Sequence, residues 1–119
     1  MKSYNSKKNP YIVKIFEACM SHIAYKDETL LKRSSGQSED IIHNPTLVIY
    51  PFEYGYFIVV DWADANSKAD YIRLEKEGYS KEFINLIKIA RKNKVKFLQL
   101  DGDGIEYEDL PTFNSESQT

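Results

Sequence analysis

Cysteine is nearly absent: Cys19 stands alone among 119 residues. That excludes an internal disulfide and makes a reducing cytoplasm the expected compartment. No apolar run approaches the roughly 18 residues that a membrane span needs, so no membrane partner is expected. The opening stretch MKSYNSKKNP is polar and basic, without the apolar core that a secretory signal carries. Histidine is scarce as well. His22 and His43 are the only two, and neither has a neighbouring cysteine or a His-x-x-x-His spacing that would suit zinc. A glycine-rich phosphate loop is missing, because Gly102 and Gly104 follow a predicted strand but precede acids rather than a helix. No internal repeat points to a solenoid.

Apolar residues at 42% and charged residues at 29% fit a globular chain of one domain. The net charge of −2 hides an asymmetry. Residues 1–100 hold all 16 Lys and Arg against 12 acids, a charge of +4. Residues 101–119 hold Asp101, Asp103, Glu106, Glu108, Asp109 and Glu116 with no base, a charge of −6. A solvated end that aids solubility is the bland account. The sharper account is an acidic face that competes for a basic surface, such as a nucleic-acid groove on a partner.

The chain is organised around residues 46–60, TLVIYPFEYGYFIVV. Leu47 to Tyr50 and Tyr56 to Val60 are apolar on both faces and read as interior strands covered on at least one side. Pro51 to Gly55 is the expected hairpin loop; Pro51 cannot donate to a ladder and belongs in the turn or at a strand end. Upstream, Tyr11 to Phe16 opens a first strand whose continuation through Glu17–Ile23 is open. Tyr25 to Ser35 is a predicted helix, with Asp27 and Glu28 in its first turn, Lys32 and Arg33 in its last, and Gly36 as its left-handed stop. Downstream, residues 61–78 leave an edge strand or a helical turn ending at Gly78 equally open. Ser80 caps a clear helix in which Phe83, Leu86, Ile87 and Ala90 share one face and Asn93 is the expected stop. Val95 to Leu100 is a strand, Ile105 to Tyr107 a short return strand, and Pro111 onward reads as a disordered tail. The order β-α-β-β-α-β predicts an α+β, ferredoxin-like sheet with two helices packed on one face. Residues 10–113 form the expected domain, between a flexible stretch at 1–9 and a flexible acidic tail at 114–119.

The acids of residues 101–109 invite a hard cation, but an EF-hand loop needs a ligand where Ile105 stands, so an acidic turn is the plainer reading. Cys19 and His22 lie three residues apart and point to opposite faces of a strand, which leaves no nucleophile-base pair. Neither a catalytic residue nor a metal or cofactor is expected. Aromatics are the richer signal: Tyr50, Phe52, Tyr54, Tyr56 and Phe57 fall in one hairpin. Core packing accounts for Phe57 and Tyr50. Phe52, Tyr54 and Trp62, placed around the turn, suit a protein contact, since aromatics are enriched at binding hot spots. An alternative is a single-stranded nucleic-acid reader that stacks bases on sheet aromatics, although Glu53 and Asp61 flank the run and the Lys/Arg-Gly-Phe spacing of such readers is missing.

Three stretches, SHIAYKDETLL, IYPFEYGYFIVVD and YSKEFINLIKIARKNKVKFLQLDGDGIEYEDLPTF, lie within residues 21–113, a span of about three-quarters of the chain. Together they resemble a family of small bacterial proteins of plasmids, prophages and other mobile elements, in which YP-x-E-YG and L-D-x-DG-x5-LP-x-(F/Y) recur. The resemblance puts weight on Tyr50, Pro51, Glu53, Tyr54, Gly55, Asp101, Asp103, Gly104, Leu110 and Pro111. Phe113 is followed here by Asn114, where members often end in an acid and an aromatic. No activity is assigned to that family; the resemblance implies a mobile-element protein that acts on host machinery by binding, as inhibitors of restriction or CRISPR defence do. The expected partner is thus a host protein or nucleoprotein complex, met by Phe52, Glu53, Tyr54, Trp62, Asp101, Asp103 and Glu106.

Overall fold

A computed structural model describes residues 12–43, 45–61 and 68–113. The elements run β1 (Ile15–Cys19), a 3-10 turn (Met20–His22), α1 (Tyr25–Ser34), β2 (Ile49–Phe52), β3 (Gly55–Val59), α2 (Lys68–Glu77), α3 (Lys81–Lys92) and β4 (Phe97–Asp101). The four strands form one mixed sheet in the order β1-β4-β3-β2, with β1 parallel to β4 and the other two pairs antiparallel.

The α+β class expected from the element order is what the chain adopts, but with three helices and a strand order that departs from the ferredoxin-like one. That fold keeps its first strand inside the sheet; here β1 is an edge and β4 occupies the interior. The physical reason lies in the residues. Leu98 and Leu100 of β4 are both fully buried between β1 and β3, whereas of their β1 counterparts the small Ala18 is buried and Phe16 only half-buried. The third helix is α2, in the stretch whose sequence left strand and helix open. Leu74 is its one fully buried anchor, and Gly78 ends it at φ +106°.

Strand alternation sorts the sheet into two faces. One row is Ala18, Leu100, Tyr56 and Pro51; the next is Phe16, Leu98, Ile58 and Ile49. These residues, Pro51 and the half-buried Phe16 apart, join Leu30, Leu31, Leu74, Phe83, Ile84, Leu86, Ile87 and Ala90 of the helices in a single core, and Phe16 packs against it. The opposite face carries Cys19, Asp101, Gly55 and Phe52, then Glu17, Gln99, Phe57 and Tyr50, then Ile15, Phe97 and Val59. All are half-buried or exposed. Phe57 and Tyr50 therefore do not belong to the core; Tyr56 is the hairpin aromatic that does.

The hairpin is tighter than its sequence suggests. Both strands run on to a two-residue turn, Glu53–Tyr54, so Pro51 lies within β2 rather than in the loop. Val59 N–H donates to Val48 O, which makes 48–59, 50–57 and 52–55 the hydrogen-bonded pairs. Pro51 thus falls at a position facing away from β3, where an edge strand tolerates its missing donor. Gly55 is required for a different reason: a Cβ there would collide with the carbonyl of Leu100 in β4.

Two polar devices hold the layers. Asp27, fully buried in the first turn of α1, accepts from Ala24 N (2.9 Å), Ser80 N (2.7 Å) and Ser80 Oγ (2.5 Å), while Ser80 Oγ caps α3 by accepting from Phe83 N. Arg91 of α3 donates from Nε to Val60 O and lays its guanidinium over the Tyr71 ring of α2. At the end of α3 the left-handed residue is Lys94, at φ 57°, and not Asn93.

The stretch expected as a return strand is instead a strap along the outer edge of β1. Cys19 N–H donates to Ile105 O, and Tyr107 Oη–H donates to Glu17 O. His22, 1% exposed, uses both ring nitrogens. Nε2 accepts from Tyr107 N–H and Nδ1 lies 2.8 Å from Pro111 O, which can only accept, so the ring carries its proton on Nδ1. Phe113 N–H reaches Ser21 O. Residues 111–113 are therefore part of the ordered domain, in contrast to the disordered tail expected from Pro111 onward. The stretches at 1–9 and 114–119 lie outside the described residues.

Candidate partner-binding surface

The hairpin turn and the acidic turn meet at one end of the sheet. The register already pairs Gly55 with Asp101, and Gly102 N–H donates to Tyr54 O at 3.0 Å, clipping the two turns together. Glu53 and Tyr54 are exposed at that tip, Tyr54 by 58%. Phe52 turns onto the open sheet face, its ring 4.8 Å from Phe57 and edge-on to Tyr54 at 6.5 Å. Trp62 lies outside the described residues.

The acids divide by role. Asp101 folds its own turn: Oδ1 accepts Asp103 N–H at 2.8 Å and Oδ2 takes the Gln99 amide. Gly104 N–H closes onto Asp101 O, and a Cβ at Gly104 would press on the carbonyl of Ala18. Asp103 is exposed beside this turn. Glu106 accepts from Ser21 Oγ at 3.1 Å, at the far edge of the sheet beyond β1. Three strand spacings, about 14 Å, separate the two edges, so Glu106 flanks rather than joins the hairpin tip. Leu110 packs on the core and Pro111 O holds His22, which gives structural duties to most of the L-D-x-DG-x5-LP ending.

Beside the tip lies a half-open cleft of about 600 Å³. Its walls are Met20, Glu28 and Lys32 of α1, Gln37, the hairpin residues Phe52–Tyr56 and Gly102. Glu28 and Lys32 form a loose surface pair at 3.8 Å. Burial, and then the charge of Glu28, raises the pKa of the Tyr56 phenol. This contribution of α1 was hidden in the sequence, where Glu28 and Lys32 read only as charges at the two ends of a helix. The open-face aromatics Tyr50, Phe57 and Phe97 were concealed too, since the strands are apolar on both faces. Ring contacts join Phe52, Phe57 and Phe97, the last pair edge-on at 6.2 Å.

Chemistry is sparse. Among the described residues no three His, Cys, Asp or Glu side chains gather to hold a metal ion. Cys19 Sγ is half-buried, accepts Ser21 N–H at 3.5 Å and sits 3.7 Å from Gly102 O. Its neighbour His22 has both nitrogens committed to the strap, so the pair offers no general base. Among the described residues no helix is long and apolar enough to cross a membrane.

Fold and surface together define a small α+β domain with a one-sided core, an open aromatic sheet face and an acidic end. A family model described as the C-terminal domain of a family of unknown function, DUF5983, matches residues 15–115, and the chain belongs to that family. No curated protein and no solved structure matches it.

Proposed function

We propose that this chain is a non-enzymatic interaction protein of a phage or mobile element, and that it inhibits a host restriction or CRISPR complex by binding to it. The observation that carries the reading is the Gly102–Tyr54 clip, which gathers Glu53, Tyr54 and Asp103 on one exposed end. The side chains of Glu53 and Asp103 make no hydrogen bond or ion pair among the described residues, so folding does not account for them. An exposed tyrosine at the same end as two unpaired carboxylates complements the basic grooves in which such complexes hold nucleic acid. The host-defence assignment itself rests on the mobile-element resemblance of the YP-x-E-YG hairpin and the LP ending. Tyr54→Ala and Asp103→Lys should each abolish capture of a purified restriction or CRISPR effector complex on resin, with Tm nearly unchanged. Capture equal to wild type by both variants overturns the reading. Asp101→Lys is a poor test, because it dismantles the turn.

A second reading is favoured by the open face, where Tyr50, Phe52, Phe57 and Phe97 offer rings for stacking single-stranded bases. Glu17 and Asp101 share the same rows and oppose a phosphate backbone. This reading requires salt-dependent affinity for oligonucleotides; a flat fluorescence titration at low salt removes it.

A further inference from the structure

The cleft beside the hairpin tip, about 600 Å³, brings two carboxylates and two tyrosines into one lining. Glu28 lines it from α1 and Glu53 from the turn, and Tyr54 and Tyr56 are part of the same lining. Among the described residues Lys32 is the only cation in the lining, and at 3.8 Å its contact with Glu28 is a loose surface pair that a better donor can displace. Glu53 has no partner among the described residues. Carboxylates on two walls and an exposed aromatic ring suit a planar cation, which can take paired hydrogen bonds from a carboxylate and stack on a ring at once. An ammonium group is drawn to a ring face as well, but it has no planar fork with which to pair a carboxylate or lie flat on the ring. The cleft belongs to the same end of the molecule as Asp103 and is continuous with the clip at Gly102.

We propose that this cleft receives an arginine side chain of the partner protein, held between Glu28 and Glu53 against Tyr54. The inference rests on the acidic-end reading above and names the group that anchors it. Lys32 then acts as a placeholder that gives up Glu28 when arginine enters. Selectivity for arginine over lysine is built into the flat ring and the paired carboxylates, whereas a diffuse acidic surface would rank the two alike.

The test is a nuclear magnetic resonance titration of the full chain with acetyl-Gly-Arg-Gly-Arg-Gly-amide and with its lysine twin. Arginine peptide should shift the amides of Glu28, Lys32, residues 53–56 and Gly102. Glu53→Gln and Glu28→Gln should each weaken it by about fivefold, the worth of one partly screened ion pair, while Glu75→Gln on α2 should leave it within about twofold. The lysine twin should bind about fivefold more weakly. Shifts centred on residues 105–109, or equal binding of both peptides, overturn the proposal. If the peptide misses the cleft while Asp103→Lys still abolishes capture of the complex, the arginine anchor fails and the interaction reading stands. If the peptide fills the cleft while Tyr54→Ala and Asp103→Lys both capture as well as wild type, the cleft binds arginine but the partner reading fails, and the proposed anchor with it.

Discussion

Asp27 and Ser80 join the beginnings of two helices through one carboxylate. Ser80 N–H and Oγ–H both donate to Asp27, at 2.7 and 2.5 Å, and the same carboxylate reaches back to Ala24 N–H. A buried charge survives here because three donors and two helix N-termini face it. Asp27→Ala leaves those donors unsatisfied inside the core and should cost about 2–4 kcal/mol in urea unfolding. Ser80→Ala should cost less, about 1–2 kcal/mol, because Asp27 keeps two backbone donors.

Gly55 and Gly102 flank the same clip but carry different constraints. Gly55→Ala drives a methyl into the Leu100 carbonyl and forces β3 from β4, so a loss of about 3 kcal/mol or more is expected. The nearest atom to a Cβ at Gly102 is Tyr54 O, at 3.8 Å. Gly102→Ala should therefore change stability by less than about 1 kcal/mol. Thermal melts of the two variants check the contrast.

His22 should act as the latch of the strap. His22→Ala removes the acceptor for Tyr107 N–H and the donor to Pro111 O in a site closed to solvent. The expected cost is about 2–3 kcal/mol. Amide exchange should accelerate first at residues 105–113, with the β3–β4 amides remaining the slowest. Uniform acceleration would mean that the strap and the sheet open together.

Tyr79 links stability to alkaline pH. Burial pushes its phenol up to about 12, helped by the charges of Glu77 and Asp27 and opposed by the Ser34 hydrogen bond. The folded state holds its proton more tightly than the unfolded chain, where the value is near 10. Stability from this group is thus whole below pH 10 and lost as pH rises toward 12, by roughly 2–3 kcal/mol. Tyr56 and Tyr107 are raised too and add in the same direction. Unfolding free energies of wild type and Tyr79→Phe should diverge between pH 10 and 12 and run parallel below it.

Much of the fold was legible because its signals are local. The α3 stripe, the Ser80 cap, the α1 charge pattern and the Gly36 stop each depend on residues within one or two turns. Strand order was not legible: it depends on which strand meets the helices on one face and has neighbours on both edges. Leu98 and Leu100 satisfy that condition better than the β1 residues, yet YIVKIF is as apolar by composition as VKFLQL. The acidic stretch read as one feature, while the structure assigns Asp101 to a turn, Glu106 to Ser21 and only Asp103 to open solvent at the tip. Such a division follows from long-range partners that no spacing rule contains. Glu53 and Tyr54 are exposed at the hairpin tip, because a turn between two apolar strands has nowhere else to go, whereas Phe52 folds back onto the sheet face.

Pro51 carries a consequence for how the protein meets others. Unguarded sheet margins recruit foreign strands, in fibrils as in ordinary strand-addition complexes. At the β2 margin Pro51 withholds an outward N–H, and at the β1 margin the strap already occupies Glu17 and Cys19. Among the described residues both margins are thus partly guarded, β2 by one missing donor and β1 by the strap, which disfavours recruitment of a foreign strand and turns association toward side chains.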